Sequence, residues 1–442
     1  MNRFNTFRFL ATLTLLLIYF MSLNCYGSSS TITVTLEEGH SLRELLGEDI
    51  YEVESLTVTG IPQDEDFQTM WECGFYGKLN SLDLSDLESY IIPQNAFYHA
   101  DVQGELGSED FIPLKIENLV LPNILNYIKK YACAGLNIKE LKMPYSLHYI
   151  MDYALAYSSI EKFEANPKLE IIQNHAFTHS NLKEVSLCRN IYHIGEGCFD
   201  DCPDLETMYF NVHRRSNQGL SGYASRCGIV NLYFSDEGMF ILLPGDFAMN
   251  KNLKKIQITP GISEIRGNAF NGCDLNTLII DETPTLFSGS FADFPNLRDI
   301  YCKSSVPPAM HCFCQPITES NGAFNGTTPT DANVYVPIGC AEIYRSTPGW
   351  NYFTNFIETD NFPTSVKEVN GDINNTVSIR GEKGVIICNN SSDRNMELRI
   401  FRFDGTAIVS SKISARSDKN IPIAPGYYIV KVGEKSQKVI VK

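Results

Sequence analysis

A pair of histidines is the first candidate for chemistry in this chain of 442 residues. His175 and His179 are four residues apart, and on a helix that spacing would place two metal ligands on one face. No Glu follows His175, so the pattern of a zinc hydrolase is absent, and Ala176 and Phe177 occupy core positions of a repeat described below. We therefore interpret both histidines as surface residues.

Three cysteines are the second candidate. Cys302, Cys312 and Cys314 lie close together in the sequence. A structural zinc site needs four ligands, commonly in two closely spaced pairs, and no second pair matches this one. Exported proteins also favour oxidised cysteines over bound zinc. Free thiols are the favoured interpretation, and a disulfide stays open.

An acidic segment is the third candidate. Asp101, Glu105, Glu109 and Asp110 supply oxygen ligands of the kind that calcium prefers, but their spacing does not match an EF-hand. A solvated acidic loop is the favoured interpretation. The chain also contains no P-loop, no dinucleotide fingerprint and no nucleophile elbow. The sequence therefore predicts no catalytic residues, no metal site, no cofactor and no enzyme.

The charge of the chain bears on its partners. The formal net charge is −16, which argues against nucleic acid as a partner because such binding depends on neutralising phosphates with Lys and Arg. Residues 366–442 carry 13 Lys and Arg against 8 Asp and Glu, whereas the rest of the chain carries 23 against 44. This asymmetry indicates two modules.

The first 27 residues have the features of a signal peptide. Arg3 and Arg8 precede an apolar stretch from Phe9 to Leu23, and small residues then lead to a cleavage position before Ser28. The stretch is short for a transmembrane anchor, so no membrane span is expected after signal removal. Lipidation at Cys25 stays open, although the residues before it fit a lipobox poorly.

Repetition at about 22 residues is the strongest signal in the sequence. The consensus copy has apolar residues in the order L-x-x-L-x-L, then I-x-x-I, then an Ala-Phe pair. Two copies depart from it: the Ala-Phe pair is lost between Phe210 and Ile229, and the copy at Leu275 has Phe294 where a small residue is expected. The leading residues are Ile116, Ile138, Ile160, Leu182, Leu205, Ile229, Leu253, Leu275 and Leu297. Weaker copies begin at Val53 and Leu79. This spacing predicts one short strand per copy, parallel to its neighbours, with the apolar columns stacked into a shared core.

The extended pattern N-L-x-x-I-x-L, I-x-x-I, A-F-x-x-C resembles the BspA-like leucine-rich repeats of surface proteins from gut and oral Gram-negative anaerobes. The run Ser41–Gly47 resembles the cap of that family, and the stretch Val306–Trp350 resembles its exit from the array, so the resemblance covers residues 31–360. It implies an α/β repeat solenoid with parallel strands on a concave face. It also implies a secreted or outer-surface protein of a Gram-negative bacterium, and some members are adhesins.

The tail has a different pattern. Residues 361–365 are typical of a linker, and residues 366–442 alternate apolar and polar residues between turn formers, which predicts a small all-β sandwich. The ending, from Pro425 to Lys442, resembles C-terminal sorting domains of the type IX secretion route. A structural β-domain retained in the mature protein is the alternative. The remaining predicted boundaries are a cap with a first degenerate repeat at 28–78 and a solenoid with its exit cap at 79–360.

The strand face that points away from the core is the predicted working surface. Its central column, the fifth position of each copy, holds Thr57, Asp83, Val120, Lys142, Glu164, Ser186, Tyr209, Tyr233, Gln257, Ile279 and Tyr301. The last five form an expected open column for partner binding, because Tyr is enriched in binding hot spots.

Two further predictions concern binding. A basic island of His213, Arg214, Arg215 and Arg226 is a weaker candidate for an acidic partner, and a solvated loop is favoured there. The predicted function is binding or adhesion to a protein or glycan. The alternative is a structural spacer or surface-layer component without a defined ligand.

Overall fold

The computed structural model describes residues 30–212, 222–312, 316–318, 320–363, 377–390, 395–402, 407–415, 417–432 and 435–441. The predicted signal peptide, residues 213–215 of the basic island and Cys314 therefore lie outside the described residues. The described chain divides after Pro363 into two compact units. Pro363 falls within the stretch predicted as a linker.

The first unit is built from parallel strands that recur once per repeat. They form three sheets in chain order, with strands Thr31–Leu36, Ser55–Gly60, Ser81–Asp83 and Asn118–Val120, then Lys162–Glu164, Glu184–Ser186, Thr207–Phe210 and Asn231–Phe234, then Lys255–Ile258, Thr277–Ile280, Asp299–Cys302, Asn333–Val336 and Asn355–Glu358. We call the side of these strands that carries the fifth position the strand face. The copy that begins at Ile138 has no strand at this place, although its Leu141 is buried.

The returning half of each repeat contains a second, shorter strand. These strands are Ile91–Ile92, Tyr127–Ile128, Tyr149–Ile150, Ile171–Ile172 and His193–Ile194 in one parallel sheet, and Phe240–Leu242, Ile262–Ile265, Thr285–Phe287 and Met310–His311 in another. Turns that hold the Ala-Phe pairs complete each coil. The repeat-solenoid fold class is confirmed, with strands and turns rather than helices in the returning segments.

The described helices lie at the ends of the array and in one long loop. The α-helices are Leu42–Leu46, Asp64–Phe75, Ala100–Gln103 and Ala341–Ser346, and the 3-10 helices are Gly47–Tyr51 and Trp350–Tyr352. Ser41 is the N-cap residue of the first helix, and its side chain and that of Glu44 form a capping box. The helix Asp64–Phe75 buries Phe67, Met70 and Trp71 in the first part of the core.

One continuous core runs from Val34 to Phe353. The copy that begins at Ile160 shows its composition: Ile160, Phe163, Leu169, Ile172, Ala176 and Phe177 are all buried. Full burial of each large side chain contributes roughly 1.5–3 kcal/mol before entropy is subtracted. Phenylalanines of successive coils stack, as Phe177 does on Phe199 with ring centroids 5.3 Å apart. The small column after them, including Ser180 and Cys202, is buried as the sequence predicts.

The described strands of the second unit are all antiparallel. Strands Val377–Glu382, Val385–Asn390 and Ser417–Pro422 form one sheet, and strands Met396–Arg402, Ala407–Ile413, Gly426–Val432 and Lys435–Val441 form the other. Ile386 and Cys388 from the first sheet and Leu398, Ile400 and Val430 from the second are buried in one core. The small all-β C-terminal domain is therefore confirmed.

Candidate functional site

The strand face brings the predicted column residues together in strict register. Tyr209 pairs with Tyr233 across adjacent strands, and their rings stack with centroids 5.0 Å apart and planes 17° apart. Ile279 lies between Gln257 and Tyr301 in the next sheet. The strands Asn231–Phe234 and Lys255–Ile258 belong to different sheets but contact each other.

Sequence reasoning missed one member of this column. Tyr335 follows Tyr301 in register, and the two rings stack with centroids 4.4 Å apart and planes 8° apart. The signal was present, because Asn333–Val336 repeats the alternation of the preceding strands. The insertion between the two copies lengthens the spacing and hides the repeat.

The expectation of an open column is wrong for three of its five residues. Tyr233 is 6% exposed, Gln257 is 8% exposed and Ile279 is fully buried. Neighbouring strands are about 4.8 Å apart, so large side chains on both sides cover a central one. The Gln257 amide also donates to the carboxylate of Asp281. Tyr209 and Tyr301 are half-buried, and a role for any of the five in binding stays a prediction.

Charged and polar side chains lie on the same face as the tyrosines. Lys162 and Glu184 form an ion pair at 2.7 Å, and Lys303 reaches Asp281 at 2.7 Å beside Ile279. The phenols of Tyr209 and Tyr301 are neutral near pH 7, and burial raises their pKa further. The face can therefore offer hydrogen bonds and aromatic area together.

The two histidines occupy turns instead of a helix. His175 and His179 have φ values of 54° and 55° and are partly exposed. Each ring packs on a tyrosine of the preceding repeat, His175 on Tyr153 at 4.9 Å and His179 on Tyr157 at 4.6 Å between centroids. They are part of an aromatic ladder along the turns.

The other predicted ligands are also placed by the structure. Cys302 and Cys312 are buried, whereas Asp101, Glu105, Glu109 and Asp110 are exposed. Within the described residues, no group of three or more His, Cys, Asp or Glu side chains is arranged to hold a metal ion.

Arg226 does not act as a free cation. Its guanidinium bonds both carboxylate oxygens of Asp201 at 2.6 Å, and this contact lowers the pKa of Asp201. The turn that carries Asp201 lies one coil before the turn that carries Arg226. The two side chains are therefore in contact, and their opposite charges offset each other. The structure thus corrects the basic island at this residue.

Stacked coils with one parallel strand each, consensus apolar columns and a continuous core define a leucine-rich-repeat solenoid. Residues 104–218 and 223–316 match the family model described as "BspA type Leucine rich repeat region (6 copies)". The repeats in these segments are therefore similar to the BspA type.

Several solved structures are similar to this chain. A leucine-rich repeat protein from Bacteroides ovatus ATCC 8483 is 17% identical, with a TM-score of 0.35, over 65% of this chain and 73% of that one. A leucine rich cell surface protein from Faecalibacterium prausnitzii A2-165 is 15% identical, with a TM-score of 0.26, over 63% and 89%. A leucine-rich repeat protein from Eubacterium ventriosum ATCC 27560 is 11% identical, with a TM-score of 0.25, over 61% and 78%.

Two further observations complete the comparison. No curated protein matches the chain. Among the residues that the structure describes, no helix is both long and apolar enough to span a membrane.

Proposed function

We propose that this protein is exported to the outer cell surface of a Gram-negative bacterium, or released from it, and binds a protein or glycan partner through the strand face. Its role is binding or adhesion rather than catalysis. In this proposal residues 1–27 direct export and are removed. The tail 366–442 acts as a sorting domain of the type IX kind.

The observation that carries this proposal is the pair of tyrosine stacks on the strand face. Tyr209 and Tyr233 form one stack, and Tyr301 and Tyr335 form the other. The rings are held by their neighbours, so little rotamer entropy remains to be lost on binding. Tyr also combines aromatic area with a hydroxyl, which is why it is enriched in binding hot spots.

Substitution of one half-buried tyrosine in each stack, Tyr209 and Tyr301, tests the proposal. The double variant Y209S/Y301S of the full-length protein is compared with the wild type for binding to host matrix proteins, glycans and whole cells. Val120→Ser is the matched control, because Val120 holds the same position of its copy and is 48% exposed. Loss of binding in the double variant alone supports the proposal. Equal binding by all three proteins would overturn the strand face as the binding surface, and no binding by any of them would favour the structural spacer or surface-layer role.

Export and processing are tested separately. Mass spectrometry of the exported protein is expected to show a first residue at or near Ser28 and loss of the tail. A mature chain that still begins at Met1 would contradict the export signal, and an intact C-terminus would contradict the sorting domain.

A further inference from the structure

A cleft of about 480 Å³ lies among the turns of the first repeats. Four tyrosines line it: Tyr98, Tyr131, Tyr153 and Tyr157. Its volume falls within the range of ~300–1,000 Å³ that small-molecule sites occupy. None of these tyrosines belongs to the column on the strand face, so the cleft is a separate surface.

Three of the tyrosines stand where the backbone favours glycine or asparagine. Tyr131, Tyr153 and Tyr157 have φ values of 56°, 53° and 56°. This left-handed conformation costs roughly 1–2 kcal/mol for a residue with a Cβ. Tyr131 and Tyr153 lie immediately before the two residues that occupy the place of the consensus Ala-Phe pair. In other repeats this turn position is held by Asn95, Gly197, Gly245, Asn268 and Gly289. Large aromatic side chains occupy it only in the copies that begin at Ile116, Ile138 and Ile160.

Ring stacking offsets part of this conformational cost, but it does not explain why the rings occur in only a few of the repeats. Tyr131 stacks on Tyr153 at 5.0 Å and Tyr153 on His175 at 4.9 Å, and each such pair is worth about 0.5–1.5 kcal/mol. One repeat later the position is Gly197, and the row ends. If stacked rings at this position served to hold the whole array together, they would recur along it. They are instead confined to the repeats around the cleft.

The loop at residues 98–113 forms a fixed wall of the cleft. The hydroxyl of Tyr98 donates to the carbonyl of Gly104 at 3.2 Å. A Cβ at Gly107 would lie 2.6 Å from the ring of Tyr157, so the loop backbone packs directly on that ring. Phe111 packs as closely on Gly135. The loop wall of the cleft is therefore held by packed contacts with two successive repeats.

The polar lining indicates the chemistry of the ligand. Gln94 and Asn95 offer amides, and Glu105 and Lys130 carry opposite charges that balance. The phenols of Tyr98, Tyr153 and Tyr157 are neutral near pH 7, and burial raises their pKa further. Amides and phenols both donate and accept hydrogen bonds. An apolar ligand would leave them unpaired at a cost, and a strongly charged ligand would find no unbalanced opposite charge.

A neutral polyhydroxylated ligand satisfies both conditions. We propose that this cleft binds an uncharged oligosaccharide, whose hydroxyls bond the amides, phenols and charged groups while its C–H surfaces pack along the edges of the stacked tyrosine rings. This site is independent of the strand face, because none of the residues that line the cleft belongs to that face.

The variant Y131N/Y153N tests the cleft without endangering the fold. Asn is the residue that the chain itself uses at the equivalent positions 95 and 268, and it tolerates the left-handed backbone. The full-length wild type is first tested on immobilised short oligosaccharides of glucose, galactose and N-acetylglucosamine. The dissociation constant for the best of these is then measured by calorimetry. We expect saturable binding that is weakened roughly tenfold or more in the double variant, which corresponds to about 1.4 kcal/mol.

Met249→Asn is the matched control. Met249 has a φ of 62° and is 43% exposed, but it belongs to a later repeat outside the cleft. Its substitution is expected to leave saccharide binding unchanged, and so is Y209S/Y301S on the strand face. Binding by the wild type that the double variant retains in full would overturn the proposal, as would no binding to any of these sugars. Because Y209S/Y301S changes only the strand face, failure of that proposal leaves a positive result at the cleft intact.

Discussion

The indole Nε1 of Trp71 donates a hydrogen bond to the side-chain oxygen of Gln103, 2.9 Å away and 32 residues later in the chain. The same oxygen accepts from the backbone N–H of His99 at 2.8 Å, and the amide nitrogen of Gln103 donates to the carbonyl of Ile112 at 3.1 Å. One buried amide therefore ties the helix Asp64–Phe75 to both ends of the loop that walls the tyrosine cleft.

Replacing Gln103 with Ala is expected to loosen this loop. The change leaves a buried indole N–H, a backbone N–H and a carbonyl without partners, and each such loss costs about 1–3 kcal/mol. Hydrogen exchange should accelerate at residues 98–113, and the free energy of unfolding should fall. Gln68→Ala is the control, since Gln68 makes one long bond of 3.5 Å on the helix surface. Equal exchange in both variants would show that Gln103 is not the anchor.

The same cluster makes stability depend on pH. The ring of His99 lies 4.4 Å from Trp71, and burial lowers the pKa of His99 below its usual 6.5. As the pH falls below about 6.5, the unfolded chain takes up this proton first, so the free energy of unfolding decreases toward the lower folded pKa and is fully retained above 6.5. Urea unfolding at pH 7.5 and pH 5 should show a smaller difference in His99→Phe than in the wild type. His40→Asn, at an exposed histidine, should keep the wild-type difference; if His99→Phe keeps it too, His99 is not responsible.

Two glycines with similar backbone conformations allow the cost of a left-handed φ to be measured separately from the cost of a steric clash. Gly39 and Gly60 have φ values of 89° and 84°, but a Cβ at Gly39 meets nothing, whereas one at Gly60 would overlap the carbonyl of Leu36. Gly39→Ala is expected to cost about 1 kcal/mol for the left-handed backbone. Gly60→Ala should cost about 1–3 kcal/mol more, because the two strands must move apart. Chemical denaturation measures both, and equal losses would rule out the close approach.

The repeat length fixed which residues face the core, and the structure confirms those columns at Ile160, Phe163 and Phe177. The same period says nothing about φ, so the tyrosines of the turns could not be recognised as a surface feature. From the repeat period alone, Val120 and Ile279 are equivalent, because both hold the fifth position of their copies. Their burial differs because it depends on neighbouring coils: Val120 ends its sheet, whereas Ile279 lies between Gln257 and Tyr301.

That difference is measurable as stability. Ile279 is fully buried and Val120 is 48% exposed, although both side chains point away from the core columns. Ile279→Ser removes a packed apolar side chain and leaves a hydroxyl among large neighbours, so we expect a loss of about 2–5 kcal/mol in the free energy of unfolding. Val120→Ser should change it by less than about 0.5 kcal/mol, as exposed substitutions do. If both changes were equally mild, Ile279 would be an accessible contact residue after all. The strand face would then be a continuous open column rather than two tyrosine stacks separated by buried side chains.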